Sequence, residues 1–221
     1  MIQCSRSWCR SAVRAGRLHR QVLTVPGSTV RAPWSLARSA QTAVVAAAVA
    51  DVARVWDLRA RSGTLHLSQI FLWVMMAAVV LFLVWFARCR RNADLISPGA
   101  VKGTVGWAVI VWLLPVFNLW APRGLVVDVQ RASSPSETAP GRGEVLVNVW
   151  WAVWAGHMVA GYVVTGLGGT TSPPLIVAGE VLELLAAALA VMVIQRITAR
   201  QDAALNPGVP APTPAALPHG S

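Results

Sequence analysis

Charge is what this chain has least of. Asp, Glu, Lys and Arg together make up 13% of its 221 residues, against about 25% in an ordinary soluble domain. Acids are scarcest: nine Asp and Glu stand against 19 Lys and Arg, and no acid precedes Asp51. Lysine occurs once, as Lys102. The three cysteines, Cys4, Cys9 and Cys89, have neither metal-ligand spacing nor the even count of a disulfide framework, so they read as free thiols. A nucleophile elbow, a phosphate loop, a zinc motif and a kinase signature are all missing. The residues therefore point to no cofactor, no metal and no recognisable catalytic pattern.

What is present is apolar. Hydrophobic residues make up 55% of the chain, and mean hydropathy is +0.55. Ile70–Ala87 is an unbroken run of 18 apolar side chains, followed by Arg88-Cys89-Arg90-Arg91-Asn92. That length reaches the lower end of a membrane-spanning helix, and the arginines read as a stop at a headgroup layer. Of the eleven tryptophans, Trp34, Trp56, Trp73, Trp85, Trp107, Trp120, Trp150 and Trp151 lie near the ends of apolar stretches. Amphipathic rings favour the interface at that depth.

The expected fold is all-α: a multipass helical membrane protein with four firm transmembrane helices and a fifth, broken apolar segment. The firm helices are Leu36–Trp56, Gln69–Ala87, Val145–Gly166 and Leu175–Ile197. The broken segment is Thr104–Trp120, where Pro115 predicts a kink or an end near Leu114. It either crosses or dips in and returns to the same face. Beyond it, Leu125, Val126 and Val129 fall on one side of a short helix, with Arg123, Asp128 and Arg131 elsewhere, as in a helix lying in the interface. Residues 1–33 read as an Arg-rich flexible tail, 34–200 as the membrane domain and 201–221 as an Ala/Pro-rich disordered tail.

Charge placement favours the dipping arrangement and a cytoplasmic N-terminus. With a dip, most arginines fall on the inner side; with five crossings the bias is weak. Seven arginines lie before Asp51. They read as attraction to anionic lipid and not as a nucleic-acid footprint, because no stacking platform accompanies them.

Ionisable groups inside spans are costly and call for partners. Asp51 and Arg54 read as an interfacial pair whose arginine snorkels outward. His157 lies nine residues before Gly166, and Glu183 eight after Leu175. In an antiparallel hairpin, a rise of about 1.5 Å per residue places them at roughly 14 and 12 Å from the linker, so they can meet. Glu180 is three residues from Glu183 and shares its face. His157, Glu180 and Glu183 form the candidate intramembrane polar cluster, read either as a protonatable site or as hydrogen-bonding glue between helices.

Trp85-Phe86-Ala87-Arg88-Cys89-Arg90-Arg91-Asn92-Ala93, Gly106-Trp107-Ala108 and Pro115-Val116-Phe117-Asn118-Leu119-Trp120 with Pro122-Arg123 resemble the bacterial integral-membrane family called domain of unknown function 4328. The similarity spans roughly Leu36 to Gln201. It implies a bacterial protein of several membrane helices with no assigned activity, and makes Arg90, Arg91, Asn92, Pro115, Asn118, Trp120 and Arg123 pattern residues at the cytoplasmic face. Ala/Val/Arg-rich usage suits a high-GC actinobacterium. Asn118 is expected to satisfy backbone groups freed around Pro115, and Asn92 to cap the turn after the second helix.

The leading functional expectation is a non-enzymatic assembly, scaffold or signalling component of the cell membrane, with a second copy or another membrane protein as partner. The alternative is a small-solute or proton-coupled permease using His157, Glu180 and Glu183. A membrane enzyme ranks third.

Overall fold

A computed structural model describes residues 31–60, 65–114, 117–134, 142–166 and 173–206. The N-terminal arginine tail before residue 31, Pro115, the Gly168–Ser172 part of the linker and the C-terminal tail from residue 207 lie outside the described residues. The helical fold belongs to the unit Ala32–Ser221. Among the described residues it contains six α-helices: α1 Trp34–Arg59, α2 Leu65–Ile96, α3 Val105–Leu113, α4 Ala121–Ala132, α5 Arg142–Gly166 and α6 Pro173–Leu205, with a 3-10 turn at Phe117–Leu119.

Three of these are long and apolar enough to cross a membrane: Trp34–Leu58, His66–Ile96 and Pro173–Leu205. Lipid contact is written on α2, where Ile70, Trp73, Met76, Val80 and Val84 are exposed at three- and four-residue spacing. That stripe would be an aggregation hazard in water. The protein is a multipass helical membrane protein.

The expectation of four firm spans and a broken fifth is corrected by this count. Val145–Gly166 does become helical as part of α5, but Asn148, His157 and several Gly and Trp dilute its apolarity, and it is not among the three. The broken segment yields only the nine-residue α3, roughly 14 Å long against a hydrocarbon core of about 30 Å. Thr104 caps its start, its hydroxyl accepting the Trp107 N–H at 3.2 Å. The helix ends at Leu114, whose ψ of 113° is extended, as the residue before a proline requires.

α2 also outruns its apolar run. Arg88–Asn92 does not follow the helix but lies within it, because Ala, Arg and Cys here continue the same turns. Ser97-Pro98-Gly99 ends it, with Gly99 at φ 76° and its N–H 3.3 Å from Asp94 Oδ1. Asn92 is therefore a buried helical residue and not a cap after the helix. At the other end of the chain, α6 continues past Ile197 to Leu205 and carries Gln201 into the core.

α1 pairs with α2 and with α6, α5 pairs with α6, and α4 bridges α2 and α5. Side-chain bonds give the directions. Trp85 Nε1 donates to Thr198 Oγ1 at 3.1 Å and Asn92 Nδ2 to Gln201 Oε1 at 3.3 Å, so α2 and α6 run parallel. Gln41 Nε2 reaches the Val191 carbonyl at 3.1 Å, joining the start of α1 to the far half of α6. The starts of α1 and α5, the ends of α2 and α6, and all of α4 thus gather at one end. Arg88, Arg90, Arg91, Lys102, Arg123, Arg131, Arg196 and Arg200 belong to that end, while Arg54 and Arg59 belong to the other.

Tryptophan placement splits the sequence expectation. Trp56, Trp73, Trp107 and Trp120 are exposed, as an interfacial belt requires, but Trp85, Trp150 and Trp151 are buried. Trp112 stacks edge-on to Phe82 at 4.9 Å, and Trp151 lies 4.8 Å from Trp154. An aromatic layer therefore runs through the bundle between α2, α3 and α5.

Candidate functional site

Side chains suited to chemistry converge on a partly open cavity of about 460 Å³ between α1, α2, α5 and α6, with Trp112 and Asn118 lining it toward the basic end. Its wall follows helical periodicity. Val44 and Asp51 on α1, Trp150 and His157 on α5, and Glu183 and Ala190 on α6 all line it, and in each pair the two residues are seven apart. Seven residues are two turns, about 10 Å, on one face. The cavity consequently has a polar layer of Asp51, His157 and Glu183 and, two turns deeper, an apolar layer of Val44, Trp150 and Ala190.

In the polar layer, His157 and Glu183 face each other with Nε2 and Oε2 2.8 Å apart. His157 Nδ1 lies 3.2 Å from the Gly179 carbonyl. A carbonyl can only accept, so Nδ1 carries a hydrogen and the remaining proton lies between Nε2 and Oε2. Placed on either atom, it leaves the pair with zero net charge. The two side chains that the sequence puts at matching depth are thus in contact. Glu180 does not join them: it is not part of the cavity wall, and its Oε2 is buried without a hydrogen-bond partner.

Asp51 and Arg54 make the second pair. Arg54 Nε donates to Asp51 Oδ1 at 2.8 Å, and Nη2 donates to the same oxygen. The guanidinium lies 4.8 Å from the centre of the Phe71 ring, an attraction to the aromatic face that helps hold it inward. Instead of snorkelling outward, Arg54 lines the cavity.

The pattern residues do not converge on one place. Arg90 is buried and donates to the carbonyls of Lys102 and, at 3.0 Å, Gly103, pinning the connection before α3. Asn92 joins the α2–α6 seam through Gln201. Arg91 and Trp120 are exposed. Asn118 lines the cavity, and its Oδ1 has no partner; the group satisfied beside Pro115 is the Leu114 carbonyl, by the Asn118 backbone N–H at 2.8 Å. Arg123 Nε donates to Asn148 Oδ1 at 2.9 Å, tying α4 to α5. Pro115 is outside the described residues.

Sequence reasoning missed the seam itself. Gln201 Nε2 donates to the Cys89 carbonyl at 2.7 Å and to Ser133 Oγ at 3.2 Å, drawing α2, α6 and the end of α4 together. Ser133 Oγ in turn donates to the Val129 carbonyl at 2.7 Å. Outside the seam, Arg131 holds Glu144 by two bonds of 2.7 and 2.8 Å. That bond pulls the Glu144 carboxyl below its ordinary value and raises Arg131. Burial pushes the Asp128 carboxyl up, against the pull of Arg131, Arg90 and Lys102.

Among the described residues no group of three or more His, Cys, Asp or Glu could hold a metal ion. The family model described as Domain of unknown function (DUF4328) matches residues 34–199. No curated protein and no solved structure matches the chain.

Proposed function

This chain belongs to the DUF4328 family, a family of unknown function, and within it we propose a non-enzymatic signalling or assembly component of the membrane, whose state is set by a small organic molecule held in the α1/α2/α5/α6 cavity. One observation carries this reading. A cavity of about 460 Å³ falls within the roughly 300–1,000 Å³ of small-molecule sites, and it has their usual make-up, mostly apolar and aromatic with a few convergent polar groups. A ligand there touches four helices at once, so its binding free energy favours one mutual arrangement of them.

The basic end is the proposed cytoplasmic face. Lysine and arginine concentrate there with the start of α1, and by the positive-inside rule this supports the reading of a cytoplasmic N-terminus. Anionic lipid headgroups are its proposed neighbours, with a second copy or another membrane protein receiving the signal. The family resemblance and the residue usage support a bacterial, actinobacterial source.

A permease draws on the same His157–Glu183 pair but loses Glu180 from the cavity wall. Two measurements separate the readings. In nanodiscs, small amphiphiles should raise the unfolding temperature saturably, and Ala187→Trp, which fills the cavity, should abolish that rise. In liposomes, wild type, E183Q and H157A should show the same background flux of solute and protons. Flux lost in the two variants would replace this reading with the permease.

A further inference from the structure

The chemistry of the cavity wall restricts what can occupy it. Its charged lining residues, among those described, are Asp51, Arg54, His157 and Glu183. They occur as two pairs of zero net charge: Arg54 is bonded to Asp51, and a single proton is shared between His157 and Glu183 while Nδ1–H stays on Gly179. Within the cavity wall itself no uncompensated charge is left to meet an ion; Glu180, whose buried Oε2 has no partner, lies outside that wall. A net charge moved from water into such a site would lose its hydration and gain no counter-charge, unless it broke an existing pair.

A neutral head meets a different situation. The side chains of His157 and Glu183 are each 25% exposed and that of Arg54 28%, so the pairs keep lone pairs and N–H groups open to the cavity. A head that carries both a donor and an acceptor can bond a carboxylate oxygen and a free Arg54 N–H without disturbing either pair. Trp154, one turn from His157, and Trp150, about 10 Å deeper, offer aromatic faces and edges to an apolar body together with Phe82 and Trp112. The charged layer favours the head toward Arg54 and the aromatic layer the body toward Trp112, where Trp112 Nε1 and Asn118 Oδ1 are buried polar atoms without partners.

Resting on the reading that this cavity holds a ligand, we propose that the ligand is a net-neutral amphiphile: a hydrogen-bonding head with both donor and acceptor, such as a primary amide, on a short aromatic or apolar body. Carboxylates and ammonium ions of the same shape are selected against.

A near-isosteric series tests this. The full chain in phosphatidylcholine nanodiscs is titrated with ring-fluorinated 3-phenylpropionamide, 3-phenylpropionate and 3-phenylpropylammonium, and dissociation constants are read by fluorine NMR. The amide is expected to bind about tenfold or more tightly than either ion. D51N leaves Arg54 unpaired and should improve carboxylate binding about tenfold over wild type; R54Q leaves Asp51 unpaired and should improve ammonium binding by a similar factor. The two variants are independent, so loss of one fold leaves the other to decide. An ion that equals the amide in wild type, or an unchanged order in the folded variants, overturns the neutral-ligand assignment and leaves the cavity reading standing. Absence of binding by all three, or binding that Ala187→Trp does not weaken, overturns the cavity reading as well.

Discussion

Gln201 Nε2 donates to the backbone carbonyl of Cys89 at 2.7 Å, across 112 residues of sequence and between two parallel helices. The carbonyl belongs to a helical residue, so this bond is an addition to the ladder of α2. Gln201 is fully buried, and its other amide atom accepts from Asn92. A single side chain thus satisfies groups on α2 and α4 that no water reaches.

Replacing it should be costly. Gln201→Leu keeps the volume roughly constant but leaves the Asn92 amide without this acceptor, a loss on the order of 2 kcal/mol. Equilibrium unfolding in detergent, followed by circular dichroism, measures it. Combining Gln201→Leu with Asn92→Leu should cost clearly less than the sum of the two single changes, because both remove the same bond.

Gly143 supplies a steric prediction. A Cβ there would collide with Gln130 Nε2 and lie 2.8 Å from its Cδ. Gln130 is buried and its amide is without hydrogen-bond partners. Gly143→Ala should therefore destabilise by about 1–3 kcal/mol through overpacking. Gln130→Ala in the same chain should recover most of that loss, and the thermal midpoints of the three variants decide it.

Part of the cavity was legible in the sequence. His157 and Glu183 stand out as ionisable groups at matching depth in two apolar helices, whereas Asp51 was read with Arg54 as a separate interfacial pair and Glu180 as a member of the cluster; that Asp51 shares the layer and Glu180 does not follows only from how α1 and α6 pack. The seam was not legible, for a physical reason: helix length was read from apolar runs, and both α2 and α6 continue beyond theirs. The missed signal was periodicity. Val193, Ile194, Ile197, Thr198 and Gln201 are buried at three- and four-residue spacing, a pattern that crosses the polar residues near Arg200 without breaking. α5 was overrated because its flanking valines outweighed Asn148, His157 and its glycines and tryptophans, of which Trp150 and Trp151 are buried while Gly156 and Gly161 are exposed.

pH should separate two carboxylates at the basic end. The Glu144 carboxyl is lowered by its bond to Arg131. Its contribution to stability is present above the ordinary glutamate value of about 4.3 and is lost as pH falls through the lowered value. Asp128 is raised by burial. Its contribution is present below the ordinary aspartate value of about 3.9 and is lost as pH rises through the raised one. E144Q should therefore destabilise at neutral pH with an effect that fades in acid. D128N should stabilise at neutral pH, and its gain should shrink in acid. Thermal midpoints from pH 3 to 8 read both slopes.

Orientation is tested by labelling. Ala100 is exposed at the basic end, beside Lys102. In a chain with Cys4 and Cys9 changed to Ser and with Cys89 buried, a cysteine at Ala100 should resist a membrane-impermeant maleimide in intact cells and react after lysis. Labelling from outside would reverse the assignment of the cytoplasmic face.

The central claim, that the cavity between the polar and aromatic layers is a binding site, is tested most directly by native mass spectrometry of the protein released from its own membrane in nanodiscs. Wild type should carry a discrete small-molecule adduct, and Ala187→Trp, correctly folded, should not. Identical spectra for the two proteins, with or without adducts, would contradict the account.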